Sequence, residues 1–355
     1  LTGDGLKKTV SGLWEDLVSI SQEKPVDVQV EPEAEQKQNL LFKIISGTPD
    51  HVNVAFIYQR DLQTSAWNVG HNEGARHLQE VFGDQVVVRS YFYADTPERA
   101  EMLLEDAVQA GAQVVFTTTP QLSRATLRAA LKYPKVRFLN CSVDTPYSSI
   151  RTYYSRIYEA KFITGAIAGA MANDDKIGYI GSNPIFGVPA SINAFALGAQ
   201  LTNPRAKVVL RWSCLPGTPQ EDFIRDGIRV ISNRDIPSQD RNYLNFCNYG
   251  TYLMDDTGGL IPLGTPIWVW GKFYEFVIRS ILAGGWKKEK GVSTALNYWL
   301  GMDSGVIDVT LTDKLHPGMQ ALAESLRNQL RSGALDPFCR KIYAQDGSLK
   351  NDGSR

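Results

Sequence analysis

Aromatic and polar side chains recur directly after the predicted strands of this chain, where a flat ring could bind. Aromatic faces can sandwich such a ring, and amide, carboxylate, hydroxyl and ammonium groups can pair with its hydrogen-bonding edge. These residue types predict binding rather than reaction. The candidate ligand-binding residues are Thr64, Trp67, Asn68, His71, Thr119, Asp144, Asn183, Phe186, Asp235, Trp270 and Lys272. Ser142 and Trp268 occupy similar strand-end places.

Structural roles compete with ligand binding at several of these positions. Trp67 and Trp270 could equally pack in a hydrophobic core. Thr64 or Asn68 could instead cap the helix that follows the first strand. The sequence leaves both alternatives open.

Catalytic and cofactor-binding patterns are missing from the sequence. It contains no GxSxG, HExxH or GxGxxG motif. Residues 264–272 superficially resemble a phosphate loop, but six residues separate the glycines instead of four, and Phe273 follows Lys272 where Ser or Thr is required. The four histidines and four cysteines have no metal-ligand spacing. We therefore expect no enzyme, no cofactor and no bound metal.

Composition indicates a globular protein with two domains and a small-molecule partner. The 355 residues are 43% hydrophobic and 21% charged, with a formal net charge of -1. A net charge this close to zero provides no basic stripe that could bind the phosphate backbone of a nucleic acid. The most apolar stretch, residues 162–172, is shorter than the roughly 20 residues that a membrane span needs.

Strands and helices alternate from residue 51 onward. Strands are predicted at 52–58, 85–93, 114–117 and 136–140, with helices at 67–82, 97–110 and 122–132. This alternation predicts βαβ units on a mainly parallel sheet with right-handed crossovers. Ligands of open α/β sheets bind just beyond the carboxyl ends of the strands, which is where the candidate residues lie.

A second unit of the same kind begins near residue 158. The pattern predicts a buried helix at 160–172, in which Gly165 and Gly169 form a small-residue face, and then the strand 176–181. Further elements are predicted at 206–212, 220–226, 228–232, 249–254, 265–285 and 316–331. Residues 1–50 differ: an amphipathic helix at 6–20 and a tether at 24–38 indicate the tail of an upstream domain.

Several motifs of this chain resemble the basic membrane protein family, also called PnrA-like. They are SAWNVGHNEG (65–74), AALKYPKVRFLN (129–140), IYEAKFITGAIAGAMANDDKIGYIG (157–181), INAFALGAQLTNP (192–204), PIWVWGKFYE (266–275) and SGALDPFCRKIYAQDG (332–347). The resemblance implies a type I periplasmic-binding-protein fold: two doubly wound parallel-sheet lobes, joined by three crossings, with a ligand cleft between them. Lobe 1 would comprise 51–150 plus 265–298 and lobe 2 would comprise 151–264 plus 299–345, followed by a tail at 346–355.

The resemblance also implies a purine base or purine nucleoside as ligand and an ABC transporter permease as partner. Trp67 and Asn68 match first-loop ligand contacts of the family, and Lys272 matches a lysine that reaches the sugar in nucleoside binders. Thr64 replaces the usual first-loop Asp, and GTYLMDD (250–256) replaces a ribose-holding motif. Trp67, His71 and the WGKFYE segment look more like the adenine-binding branch.

Residues 1–50 leave two interpretations of the biological role open. A lipoprotein on the outer face of the bacterial plasma membrane would serve ABC-type uptake. The opening segment instead resembles the end of a cytoplasmic domain, which predicts an intracellular purine-sensing module fused to that domain.

Overall fold

The computed structural model describes residues 50–143, 147–182, 184, 187–233, 250–255, 257–284, 296–313 and 315–352. The predicted helix at 6–20 and tether at 24–38 lie outside these residues. Among the helices that are described, none combines the length and apolar character needed to cross a bilayer.

The first sheet is built from strands that alternate with helices, as the sequence predicts. Its strands are β1 (Val52–Ile57), β2 (Val86–Tyr91), β3 (Val114–Thr117), β4 (Arg137–Cys141), β5 (Arg151–Ser155) and β11 (Asn297–Leu300). The helices that connect β1 to β4 are α1 (Ala66–Phe82), α2 (Pro97–Gln109) and α3 (Ser123–Lys132). The strand order is β11-β5-β4-β3-β1-β2, and the pairs from β2 to β5 are parallel. Helical crossovers produce this arrangement because parallel strands cannot be joined by a tight turn.

Local signals define where these helices begin. The Ser65 side chain accepts a hydrogen bond from the backbone N–H of Asn68 at 3.3 Å, so Ser65 is the N-cap of α1. Thr96 caps α2 in the same way, and Pro97 follows it at the first helical position. Neither Thr64 nor Asn68 is the cap of α1, which removes the capping role that the sequence left open for them.

The second sheet is only partly parallel. Its strands are β6 (Lys176–Gly181), β7 (Lys207–Trp212), β8 (Val230–Ser232), β9 (Thr251–Met254), β10 (Leu260–Trp268) and β12 (Ile307–Leu311), in the order β12-β10-β9-β8-β6-β7. The pairs β6–β7 and β6–β8 are parallel, whereas β8–β9, β9–β10 and β10–β12 are antiparallel. A tight turn at Asp255–Gly259 links β9 to β10, so these strands form a hairpin and not a crossover.

Five α-helices follow β5 in the described part of the chain. They are α4 (Tyr158–Met171), α5 (Val188–Thr202), α6 (Pro219–Arg225), α7 (Trp270–Leu282) and α8 (Pro317–Arg331). A short hairpin of β13 (Ile342–Tyr343) and β14 (Leu349–Asn351) follows. Its Gln345 side chain pairs with the backbone N–H and C=O of Val208 at 2.8 and 3.2 Å. This amide therefore occupies hydrogen-bonding groups on the edge strand β7. Those groups are then not free to pair with a strand of another chain.

Helices α4 and α5 pack backbone against backbone. A Cβ atom placed on Gly198 would lie 2.0 Å from the carbonyl oxygen of Phe162, and one on Gly165 would lie 2.1 Å from that of Phe195. Gly169 meets Ala199 in the same way, at 2.2 Å. The small-residue face predicted from Gly165 and Gly169 is thus confirmed as the surface through which α4 contacts α5.

Contacts divide the chain into two compact units. The first contains the described residues within Leu1–Gln59, Gln85–Tyr154 and Ser280–Tyr298, and the second contains Arg60–Asp84, Ser155–Arg279 and Trp299–Arg355. The two six-stranded α/β layers confirm the predicted fold class. Residues 60–84 group with the second unit because α1 packs on the start of α7, where Gly74 leaves room for Tyr274. The lobe boundaries implied by the family resemblance stay a prediction.

Candidate functional site

An aromatic cluster in the second unit contains two of the predicted tryptophans. We call it the Trp67 cluster, and its members are Trp67 and His71 from α1, Trp268 from β10, and Trp270 and Tyr274 from α7. The Trp67 ring meets His71, Trp268 and Trp270 edge to face, with ring centroids 4.8, 5.4 and 5.8 Å apart. Such edge-to-face contacts are among the preferred arrangements of aromatic pairs.

Exposure separates the tryptophans of this cluster. Trp270 is 1% exposed and Trp268 is 8% exposed, whereas Trp67 is only half-buried. The Trp268 indole N–H donates to the Ser155 hydroxyl at 2.8 Å, which fixes its ring at the end of β10. Trp270 therefore packs in the interior, and Trp67 is the tryptophan of the cluster that keeps accessible surface for a ligand. Direct ligand contact by Trp270 stays a prediction.

His71 connects the two helices of the cluster. Its ring is stacked on Trp270 at 4.7 Å and 13°, and its Nδ1 lies 2.5 Å from the Tyr274 hydroxyl. The side chain is completely buried, and this burial lowers the pKa of His71 well below its usual range. The imidazole is accordingly neutral at neutral pH, and it positions Trp270 and Tyr274 behind Trp67.

The buried neutral His71 makes stability depend on pH. In the unfolded chain a histidine binds a proton below about pH 6.5, whereas folded His71 resists protonation. Acidification below that pH therefore stabilises the unfolded state, by at most about 1.4 kcal/mol per pH unit. We expect the free energy of unfolding, measured in urea, to fall more steeply between pH 6.5 and 5 for the natural chain than for His71→Gln.

A histidine at the surface provides the control for this measurement. His51 is exposed, so His51→Gln should retain the steep fall. Equal slopes for the natural chain and His71→Gln would show that His71 does not contribute to this pH dependence.

Thr64 and Lys272 are both exposed. The Thr64 backbone N–H and hydroxyl donate to Asp61 Oδ1 at 2.8 and 2.6 Å. Lys272 lies in the first turn of α7, where its backbone N–H donates to the Val269 carbonyl at 3.0 Å. A cavity of about 70 Å³ borders Lys272, Trp268 and Trp270. Its volume is below the roughly 300 Å³ typical of small-molecule pockets.

Asn68 is 1% exposed and lies in the first turn of α1. Its side-chain N–H donates to the Arg60 carbonyl at 2.8 Å, whereas its Oδ1 is buried and accepts no hydrogen bond from any described residue. Asn68 therefore anchors the loop before α1 through its side-chain N–H, and its Oδ1 is an acceptor that no described residue uses.

A polar cluster lies at the carboxyl ends of β3 and β4 in the first unit. We call it the Asn140 cluster, and its members are Thr117, Thr119, Thr126, Asn140 and Ser142. The pairing of β3 with β4 sets Thr117 beside Asn140, and the side-chain N–H groups of Asn140 donate to Thr117 Oγ1 at 2.7 Å and to the Thr119 carbonyl at 2.9 Å. All five residues are buried, so the carboxyl edge of this sheet is polar and shielded from water.

The predicted site residues thus fall into separate groups. Trp67, His71 and Trp270 belong to the Trp67 cluster, and Thr119 belongs to the Asn140 cluster. Asp144, Asn183, Phe186 and Asp235 lie outside the described residues. Sequence reasoning missed Tyr274 and Asn140. An asparagine between the apolar Leu139 and Cys141 of a buried strand was the available signal for Asn140, since such a residue needs a polar partner.

Metal binding finds no support in the part of the chain that is described, which contains no group of three or more His, Cys, Asp or Glu residues able to hold an ion.

Comparison with known proteins finds similarity to solute-binding proteins. Residues 51–214 match the model of a family described as ABC transporter substrate-binding protein PnrA-like. A purine-binding protein of Brucella abortus is 27% identical over 313 residues, which cover 84% of this chain and 86% of that protein. A putative ABC transporter glucose-binding protein of Haloferax volcanii is 28% identical over 265 residues, which cover 72% of this chain and 66% of that protein.

The fold has a counterpart among solved structures. An ABC transporter solute-binding protein from Conexibacter woesei superposes with a TM-score of 0.60 at 18% identity, over 80% of this chain and 98% of that one. This similarity supports the predicted fold class and does not indicate the ligand.

Proposed function

We propose that this protein is a PnrA-like solute-binding protein that binds a purine base or purine nucleoside and delivers it to an ABC transporter permease. The family match over residues 51–214 and the relative named as a purine-binding protein support this function. The absence of the ribose-holding motif at 250–256 favours a bare base such as adenine over a nucleoside.

The observation that carries the proposal is the half-buried Trp67 in its cluster. Three rings contact its indole edge to face, so the indole has little rotational freedom to lose when a ligand binds. Rigid, preorganised side chains lose less entropy on binding. A flat purine stacked on such an indole gains dispersion and apolar burial, and aromatic stacking tolerates any purine.

Truncation of Trp67 tests this contact. Trp67→Ala should weaken binding of the preferred purine by about 1–3 kcal/mol, or roughly 5- to 150-fold, because base–aromatic stacking contributes that much. Calorimetric titration of both proteins with the same purine measures the difference.

Trp212 is a suitable control tryptophan. It ends β7, packs against Gly181 and is not a member of the Trp67 cluster, so Trp212→Ala should leave purine affinity within about twofold. Unchanged affinity of Trp67→Ala would assign Trp67 to structure alone.

Uptake and sensing share the binding step and differ in the fate of the bound purine. Uptake of radiolabelled purine should fall when the gene is deleted and recover when the natural chain is restored. Normal uptake in the deletion strain would instead favour the purine-sensing module.

A further inference from the structure

The side-chain amide of Asn140 can adopt only one of its two orientations. One of its terminal atoms lies 2.9 Å from the carbonyl oxygen of Thr119. A carbonyl oxygen can only accept, so the atom facing it must be the donor Nδ2 and not Oδ1. The orientation therefore follows from chemistry, and Oδ1 is left as a pure acceptor.

Two threonine hydroxyls continue this arrangement on the donor side of the amide. Thr117 Oγ1 accepts from Asn140 Nδ2 at 2.7 Å and lies 2.9 Å from Thr126 Oγ1, which donates to the Leu122 carbonyl at 2.7 Å. Since the Thr126 proton is used by Leu122, Thr117 donates to Thr126, which lies nearer than its other acceptor, the Leu139 carbonyl at 3.4 Å. The hydrogen bonds run in one direction, from Asn140 to the first turn of α3, and they hold the amide in place.

Three polar atoms at the other side of this cluster are unused. Asn140 Oδ1, Thr119 Oγ1 and Ser142 Oγ are buried and make no hydrogen bond with the residues that the structure describes. Their residues are 0%, 8% and 7% exposed. A buried polar atom without a partner destabilises a fold, so three of them together at a sheet's carboxyl edge indicate groups reserved for a ligand.

We propose that the Asn140 cluster, within the first unit, is a subsite that recognises the hydrogen-bonding edge of a purine's six-membered ring. Asn140 Oδ1 accepts from a ring or exocyclic N–H group, and the Thr119 and Ser142 hydroxyls donate to the adjacent ring nitrogen or carbonyl. The inference rests on the proposed purine binding and adds a specificity rule to it: the ligand must present an N–H donor beside an acceptor.

The first test compares two ligands on the natural full chain. Adenine carries an exocyclic amine where 6-methylpurine carries a methyl group of similar size. We expect adenine to bind at least about tenfold more tightly, because the methyl analogue leaves the Asn140 acceptor buried and unpaired. If hypoxanthine is the purine that binds, 6-methoxypurine, which lacks the N1–H, is the matched analogue.

Variants then assign the preference to Asn140. Asn140→Leu should erase the preference by weakening adenine, with 6-methylpurine affinity unchanged. Asn328→Leu, the same substitution at an exposed position of α8, should keep the preference. Ser142→Ala should weaken both ligands equally, because both retain the ring nitrogens. If Asn140→Leu does not fold, the ligand comparison on the natural chain still decides.

The outcomes separate this inference from the proposed function. Equal affinity of the natural chain for adenine and 6-methylpurine, with clear binding of both, overturns the role of Asn140 and preserves purine binding. Loss of the preference in Asn328→Leu would overturn its assignment to Asn140. No binding of any purine overturns the proposed function and this inference with it.

Discussion

Replacing Gly198 by valine should lower the free energy of unfolding by about 3 kcal/mol or more, since overpacking a close contact typically costs about 1–3 kcal/mol and here the obstacle is backbone. The new Cβ would lie 2.0 Å from the Phe162 carbonyl oxygen. A backbone carbonyl cannot rotate aside as a side chain can, so α4 and α5 must separate. Urea unfolding of the two proteins measures the loss.

The same substitution elsewhere on α5 is the control. Asn193 is exposed on that helix, and Asn193→Val should change stability by no more than about 0.5 kcal/mol. Equal stability of Gly198→Val and the natural chain would contradict the close approach of α4 to α5.

Glu159→Ala should destabilise the fold by about 3 kcal/mol, near the lower end of the cost of breaking a buried ion pair. Glu159 is 6% exposed, and its carboxylate accepts from Arg156 Nε at 2.5 Å and from the Met302 backbone N–H at 2.7 Å. Its loss leaves a guanidinium that is only 27% exposed without its main counter-charge. We place the cost at the lower end because Arg156 keeps this access to water and a second partner, Asp303.

Asp303 offers a matched comparison for Glu159. Its carboxylate also bonds Arg156, at 2.9 Å, but its side chain is 54% exposed. Asp303→Ala should therefore cost no more than about 1 kcal/mol, as exposed pairs do. Similar losses from both variants would mean that burial does not set the energy of this network.

The first sheet and its connecting helices followed from sequence patterns. Apolar runs at 52–58 and 114–117, separated by amphipathic helices, specify parallel strands because only a crossover fits between them. The antiparallel half of the second sheet did not follow. Pairing direction depends on which strands become neighbours, and β10 pairs with β12, from which α7 and β11 separate it along the chain.

The sequence predicted which types of residue could form the site, but it did not predict the burial or the contacts of each one. Trp67 and Trp270 have the same side chain and were equal candidates for core and site. Only the fold shows that Trp270 stacks on His71, far earlier in the chain, while Trp67 keeps exposed surface. Asn140 was missed because the sequence does not show how its amide is paired. Thr117 and Thr119 accept both amide protons and leave Oδ1 as an acceptor, and only the fold shows these pairings.

Calorimetric titration of the natural chain with adenine, guanine, adenosine, guanosine, inosine and glucose tests the central claim most directly. Purine binding predicts saturable heat at one site per chain for at least one purine, with the base favoured over its nucleoside and no heat from glucose. Saturable binding of glucose without binding of any purine would contradict the account.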